Sequence, residues 1–148
     1  MRIRGYITRN LGLDVGDKRI GVALSDPLGI MASPYTIIEC EGDEADIEAI
    51  VNIITRQEVG LVIVGLPHSK IGDIGVQAKK VMGFALKLKE HISVPVEFRD
   101  ERLTTVLAKQ LKKTGKNMKS KDKVRYDDVA AAIILQTYLD ETYSNNLL

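Results

Sequence analysis

Five acidic residues stand where a carboxylate has to be explained: Asp14, Asp100, Glu101, Asp127 and Asp128. Asp14 interrupts the apolar run Leu11-Gly12-Leu13-Asp14-Val15-Gly16, where a charge is costly unless it is paired, hydrogen-bonded or holding a cation. Asp100 and Glu101 close a β-prone stretch, and Asp127 and Asp128 stand just ahead of the apolar run Val129–Leu135. Each has a plain reading as well. Asp14 can bond to turn amides, and an acid at a helix start is a cap worth about 1 kcal/mol. Taken together they suggest more, because converging carboxylates with no lysine among them repel one another. A hard divalent cation relieves that repulsion, Mg²⁺ being the usual occupant of oxygen-only sites. Two such ions roughly 3.5–4 Å apart can activate a water and stabilise the leaving oxygen of an in-line phosphoryl displacement. Gly12 and Gly16, on either side of Asp14, are expected to let a ligand approach the backbone.

The elements that would position these acids follow from hydrophobic periodicity. Asn10–Val15 and Arg19–Ser25 read as strands joined by the turn Gly16-Asp17-Lys18, and Tyr35–Glu39 as a third strand. Ile47, Ile50, Val51 and Ile54 mark a helix with Asp43 as its N-cap. Leu61–Val64 reads as a buried parallel strand, followed by a glycine-bearing loop from Gly65 to Gly75 and a helix over Ala78–Leu88. Val94–Phe98 gives a fifth strand and Leu103–Leu111 a third helix. A polar loop spans Lys112–Lys123, and a last, well-buried helix runs from about Asp127 to about Thr142. The expectation is one α/β domain over residues 1–148, with a mixed five-stranded sheet (three antiparallel strands, then two parallel) flanked by helices. Sites in such sheets form outside the carboxyl ends of the strands.

Composition narrows the classes. Hydrophobic residues make up 45% and charged ones 28%, which is ordinary globular usage. No apolar run approaches the ~20 residues that span a bilayer, and no secretory signal is visible, so the expectation is a cytoplasmic protein without membrane attachment. The single Cys40, read as a small half-buried residue, excludes an internal disulfide framework and a multi-cysteine zinc site. Neither a P-loop lysine motif nor a dinucleotide glycine fingerprint is present. The formal charge of +1 conceals an asymmetry. Glu39–Glu48 holds six acids and no base, whereas Lys109–Arg125 holds eight bases against Asp122 alone. That is compatible with one face meeting a polyanion. His68 and His91 read as solvated residues.

Several blocks in order resemble the YqgF family, also called RuvX-like. These are Gly12–Gly16 with Lys18–Ala23 and Ser25-Asp26; Val64-Gly65-Leu66-Pro67; Asp100-Glu101-Arg102-Leu103-Thr104-Thr105; and Asp128 with Ala130-Ala131 and Ile134-Leu135-Gln136. The resemblance implies an RNase H-like fold and a metal-dependent endonuclease acting on structured nucleic acid, at the 5′ end of precursor 16S rRNA. It assigns catalysis and the binding of Mg²⁺ or Mn²⁺ to Asp14, Glu101 and Asp128, with Asp100 and Asp127 as substitutes for their neighbours. Lys18, Arg19, Arg102 and Thr105 become substrate or site-support residues, and Lys116, Lys119, Lys121 and Arg125 of the basic segment would hold the nucleic-acid backbone. Two places depart from the family pattern: Asp17, and the loop His68-Ser69-Lys70-Ile71-Gly72-Asp73. Other readings stay open: a Holliday junction resolvase on branched DNA, which symmetric cutting would make a homodimer, or a non-catalytic nucleic-acid-binding module. A nucleotide-binding ATPase of the actin and sugar-kinase type needs two such domains, and this chain has one.

Overall fold

The computed structural model describes residues 8–67, 75–100 and 120–146, with side chains of the last stretch over 128–143. Strands β1 (Arg9–Val15), β2 (Arg19–Ser25) and β3 (Ala32–Glu39) lead to helix α1 (Asp43–Arg56). Strand β4 (Val59–Leu66), helix α2 (Val76–Lys89), strand β5 (Val96–Asp100) and helix α3 (Ser120–Asn146) follow. The sheet order is β3-β2-β1-β4-β5; β1, β2 and β3 pair antiparallel, and β4 and β5 join parallel to β1.

Strand alternation divides the core in two. Leu11 and Leu13 of β1, Ile20 and Val22 of β2, and Val62 and Val64 of β4 face α1 and α2, meeting Ile47, Ile50, Val81, Phe84 and Leu88. The other face carries Ala23 and Ile63, covered by Ala131, Ala132, Ile134, Leu135 and Leu139 of α3. β4 is therefore buried on both faces, which is why it reads as a continuous apolar run rather than an alternation. Edge strand β3 contains Pro34, opposite Ala23, beside a shift in the register with β2. The other edge strand, β5, is only five residues long.

Element types agree with expectation, but boundaries move for identifiable reasons. β3 begins at Ala32 instead of Tyr35, because an edge strand tolerates a proline. β4 extends through Gly60 and Gly65, and β5 starts after Pro95, whose carbonyl accepts the Val62 N–H at 3.0 Å. Asp100 ends β5, as expected of an acid that closes the strand. Asp43 is not the cap of α1. Gly42, at φ 129°, takes that place, and the buried Asp46 reaches back to accept the Glu41 N–H at 3.0 Å. Helix α3 starts at Ser120, inside the segment expected to be loop, since a lysine-rich stretch is polar yet helix-forming. Asp127 and Asp128 therefore lie more than a turn inside the helix, which removes their reading as helix-start caps. The helix expected over Leu103–Leu111 lies outside the described residues. No described helix is long and apolar enough to cross a membrane.

Candidate active site

Asp14 is the penultimate residue of β1 and half-buried. It points to the face of Gly12, the face α3 covers, because side chains along a strand alternate. Its partner on β2 is Gly21. On the other side, one step beyond the Leu13–Val64 pair, comes Gly65 of β4, and Gly65 in turn pairs with Arg99 of β5. The sheet floor beside Asp14 thus carries no side chain on either neighbouring strand.

Helix α3 carries a second acid towards the same end of β1. A Cβ on Gly12 would stand 2.8 Å from the Ala131 carbonyl oxygen and 2.8 Å from Leu135 Cβ. Thr8 and Asn10, at the opposite end of β1, line a hollow with Tyr138, Leu139 and Thr142. The helix consequently runs antiparallel to β1. One turn before Ala131, about 4.5 Å along the axis, is Asp128, and two residues beyond Gly12, about 6.8 Å along the strand, is Asp14. Both acids sit at the carboxyl end of β1, on one face. Asp128 is half-buried and its Oδ1 is withdrawn from solvent. Gln136 keeps the helix in register: its Oε1 accepts the Ala32 N–H at 2.8 Å and its Nε2 donates to the Ile30 carbonyl at 3.0 Å.

These contacts correct the expectation for the glycines. Gly12 serves the close seating of α3, not the approach of a ligand. Gly16 serves its own turn, where a Cβ would meet the Arg19 carbonyl oxygen at 2.8 Å.

The turn after Asp14 is held from behind. Gly16 N–H donates to the Arg19 carbonyl, and Cys40 N–H donates to the Lys18 carbonyl, both at 2.9 Å. The half-buried Cys40 agrees with expectation. Desolvation, followed by the field and hydrogen bond of Asp46, pushes its thiol up to about 11. Lys18 is exposed on the turn, free to meet solvent-borne anions. Arg19 donates from Nε to Glu39 Oε1 at 3.2 Å, so a substrate phosphate would compete with that carboxylate. Asp100, exposed, shares the strand face of Phe98, which packs with the α1–α2 core; its side chain therefore leaves the sheet on the side away from Asp14. The 460 Å³ hollow lined by Gly16, Cys40, Asp46 and Lys80 also lies on that far face.

Glu101, Arg102, Thr105, Lys116 and Lys119 fall outside the described residues, as does His68, and the side chains of Lys121, Arg125 and Asp127 are likewise not described. Among the described residues no three His, Cys, Asp or Glu side chains gather as metal ligands. Asp14 and Asp128 offer oxygen donors only, a set that suits Mg²⁺ or Mn²⁺.

One residue of β5 was not anticipated. Arg99 donates from Nη1 to the Phe98 carbonyl at 2.9 Å, and its guanidinium lies 4.9 Å from the Tyr138 ring centroid. Its Nε is 3.5 Å from Glu141 and its Nη2 3.8 Å from Glu97. The alternation in Val96-Glu97-Phe98-Arg99 could have marked it as facing away from the α1–α2 core.

The sequence pattern of a family described as "RuvX: Holliday junction resolvase" matches residues 8–141. A Clostridium acetobutylicum protein named "Putative pre-16S rRNA nuclease" is 45% identical over 132 residues, 89% of this chain and 98% of its own length. A protein of the same name from Thermoanaerobacter pseudethanolicus is 47% identical over 133 residues, 89% of this chain and 96% of the relative. Among solved structures, Thermus thermophilus RuvC in complex with a Holliday junction substrate superposes with a TM-score of 0.61 at 13% identity, covering 93% of this chain and 96% of that one. Fowlpox virus resolvase with junction DNA gives 0.52, also at 13% identity, covering 91% and 99%. At those identities the likeness is one of fold, and the fold is RNase H-like.

Proposed function

The chain belongs to the RuvX family, and from that membership we propose that it is a metal-dependent endonuclease that trims the 5′ end of precursor 16S rRNA. The observation that supports this reading is the placement of Asp14 and Asp128 towards the carboxyl end of β1, on the face that α3 covers.

In this reading Asp14 and Asp128, completed by Glu101, hold Mg²⁺ or Mn²⁺. The bound ion supplies an activated water and neutralises phosphate charge. Asp14 sits on a strand and Asp128 on a helix seated by Gly12, so both carboxylates are presented from rigid elements. Lys18 and Arg19 border the site and attract the backbone, with Arg102 and Thr105 in support. Lys116, Lys119, Lys121 and Arg125 extend the hold, and binding is correspondingly salt-sensitive. In this reading the protein works in the cytoplasm, together with its RNA substrate.

The test offers precursor 16S rRNA and a four-way DNA junction side by side, to wild type and to Asp14→Asn. Wild type should cut the RNA, and a chelator should stop it. Asp14→Asn should bind without cutting; intact cutting by that variant would sink the assignment. A second reading, junction resolution, is favoured by the family's own description. It requires two symmetric cuts and hence a homodimer, which a mass measurement checks. A non-catalytic module would bind RNA yet neither take up Mg²⁺ nor cut either substrate.

A further inference from the structure

We propose that the loop 26–31 between β2 and β3, together with the second half of α3, is the surface through which this chain pairs with a second copy of itself. The proposal stands apart from the nuclease reading and supplies the contact surface that junction resolution would need. Three side chains of the loop, Leu28, Ile30 and Met31, and Tyr143 of α3 are between 55% and 64% exposed. Apolar residues exposed singly are ordinary, but Leu28, Ile30 and Tyr143 meet around one hollow of about 630 Å³. Thr8, Asn10, Leu61 and Tyr138 are also among its walls, and Met31 follows directly on Ile30.

The loop is held in one arrangement. The N–H groups of Leu28, Ile30 and Met31 donate to the Asp26 carboxylate at 3.1, 2.8 and 2.7 Å. Asp26 N–H donates to the Met31 carbonyl at 3.1 Å, and from α3 Gln136 Nε2 donates to the Ile30 carbonyl at 3.0 Å. The apolar side chains are therefore in place before a partner arrives, which lowers the ordering cost of association. A tight loop by itself accounts for Asp26 and Gln136. It gives no reason for three large apolar side chains in solvent.

Charge selects the occupant. Among the described residues lining the hollow none is charged. A nucleic-acid strand calls for cations to meet its phosphates. A twofold axis instead sets a patch against its own copy, where any net charge would face itself. An uncharged patch meets that condition. The acids beside it on α3 are engaged within the chain: Asp140 Oδ1 accepts from Gln136 Nε2 at 2.9 Å, and Glu141 lies 3.5 Å from Arg99 Nε. Apolar side chains next to a hollow also let each copy fill the other. A standard interface takes about 800 Å² from each partner, roughly a twelfth of the 9648 Å² surface of this chain, and the patch supplies its apolar centre. Asp14 is about 13 Å along β1 from Asn10 at the hollow, so both copies keep that acid outside the interface.

The full chain is followed by sedimentation over roughly 1–100 μM, the weak end of what interfaces of standard size span. Wild type should pass to twice the 16.4 kDa chain mass. Leu28→Glu and Met31→Glu each put two like charges into a symmetric interface. Each should raise the dissociation constant by about 30-fold or more, the effect of losing a central contact. Leu86→Glu, at a position 59% exposed on α2 across the sheet, should associate as wild type does. Circular dichroism of all three should match wild type, which separates lost association from lost folding. A wild type that stays at 16.4 kDa throughout overturns the proposal. Weaker binding of a precursor 16S rRNA fragment by the loop variants would in that case assign the patch to RNA. A dimer untouched by both loop glutamates overturns the choice of surface. Neither result bears on cutting at Asp14, so the nuclease reading stands or falls by its own test.

Discussion

Replacing Gly12 with alanine adds one methyl group at the point where α3 sits on β1. The new Cβ would lie 2.8 Å from Leu135 Cβ and 2.8 Å from the Ala131 carbonyl oxygen. Carbon atoms rest at about 3.5–4.0 Å, so at least roughly 0.7 Å is missing on the Leu135 side. Neither obstacle is the tip of a flexible side chain, and the helix itself has to lift. Overpacking of this kind costs about 1–3 kcal/mol. For a chain of this size each kcal/mol moves Tm by roughly 2–4 °C, giving a fall of about 2–12 °C. Because the lifted helix carries Asp128, cleavage should fall by more than the stability loss explains. A 1 Å misplacement costs on the order of 100-fold, and half of that about tenfold. Gly83→Ala is the control. The same methyl in mid-α2 meets nothing within 4 Å, and it should raise stability by about 0.5–1 kcal/mol and leave cleavage alone. The measurements are thermal melts and single-turnover cleavage at a temperature where all three proteins are folded. A Gly12→Ala protein with wild-type Tm and wild-type rate would refute the seating argument.

Two further outcomes are expected. Partial burial pushes the Asp26 carboxyl up, but N–H donors from Met31, Ile30 and Leu28 outweigh it and hold the group below its ordinary 3.8. A depressed acid stabilises the fold above its unfolded pKa and loses that contribution as pH falls through the folded value. Asp26→Asn should therefore cost about 1 kcal/mol in urea titrations at pH 7 and converge with wild type well below pH 3.8; an equal gap at both pH values would contradict the assignment. Cys40, with its thiol raised to about 11 against an ordinary 9.0, should react with iodoacetamide at pH 8 about 100-fold more slowly than a model thiol. Reaction at the model rate would show that burial and Asp46 do not shield the thiol in solution.

Local pattern made the hairpin of β1 and β2 legible, since alternation and a short turn act within a few residues of each other. The mixed five-stranded sheet followed from counting crossovers, whereas the order β3-β2-β1-β4-β5 came from the structure. Boundaries failed where composition and geometry part company: Gly60 and Gly65 lie inside β4 because neighbouring strands bury them, and Ser120–Lys123 is helical although it is polar throughout. Asp14 stood out as an acid in an apolar strand. Its grouping with Asp128 came from the family resemblance; what the sequence left out is the seating of α3 on Gly12, a contact between residues more than a hundred positions apart. Arg99 was overlooked although strand alternation puts it on the α3 face; its contacts with Tyr138 and Glu141 depend on where α3 lies.

The two outer strands have a consequence of a different kind. An open sheet invites its own copies to add strands, and a protein made in quantity has to discourage that. On one side Pro34 removes a backbone donor and the shifted register beside it breaks the straight run of β3. On the other, β5 is five residues long and carries Glu97 and Arg99. Neither border of the described sheet is a long, flat, apolar template for another chain. The charged pair on β5 that reaches towards α3 thus also helps keep the folded protein from aggregating through its edges.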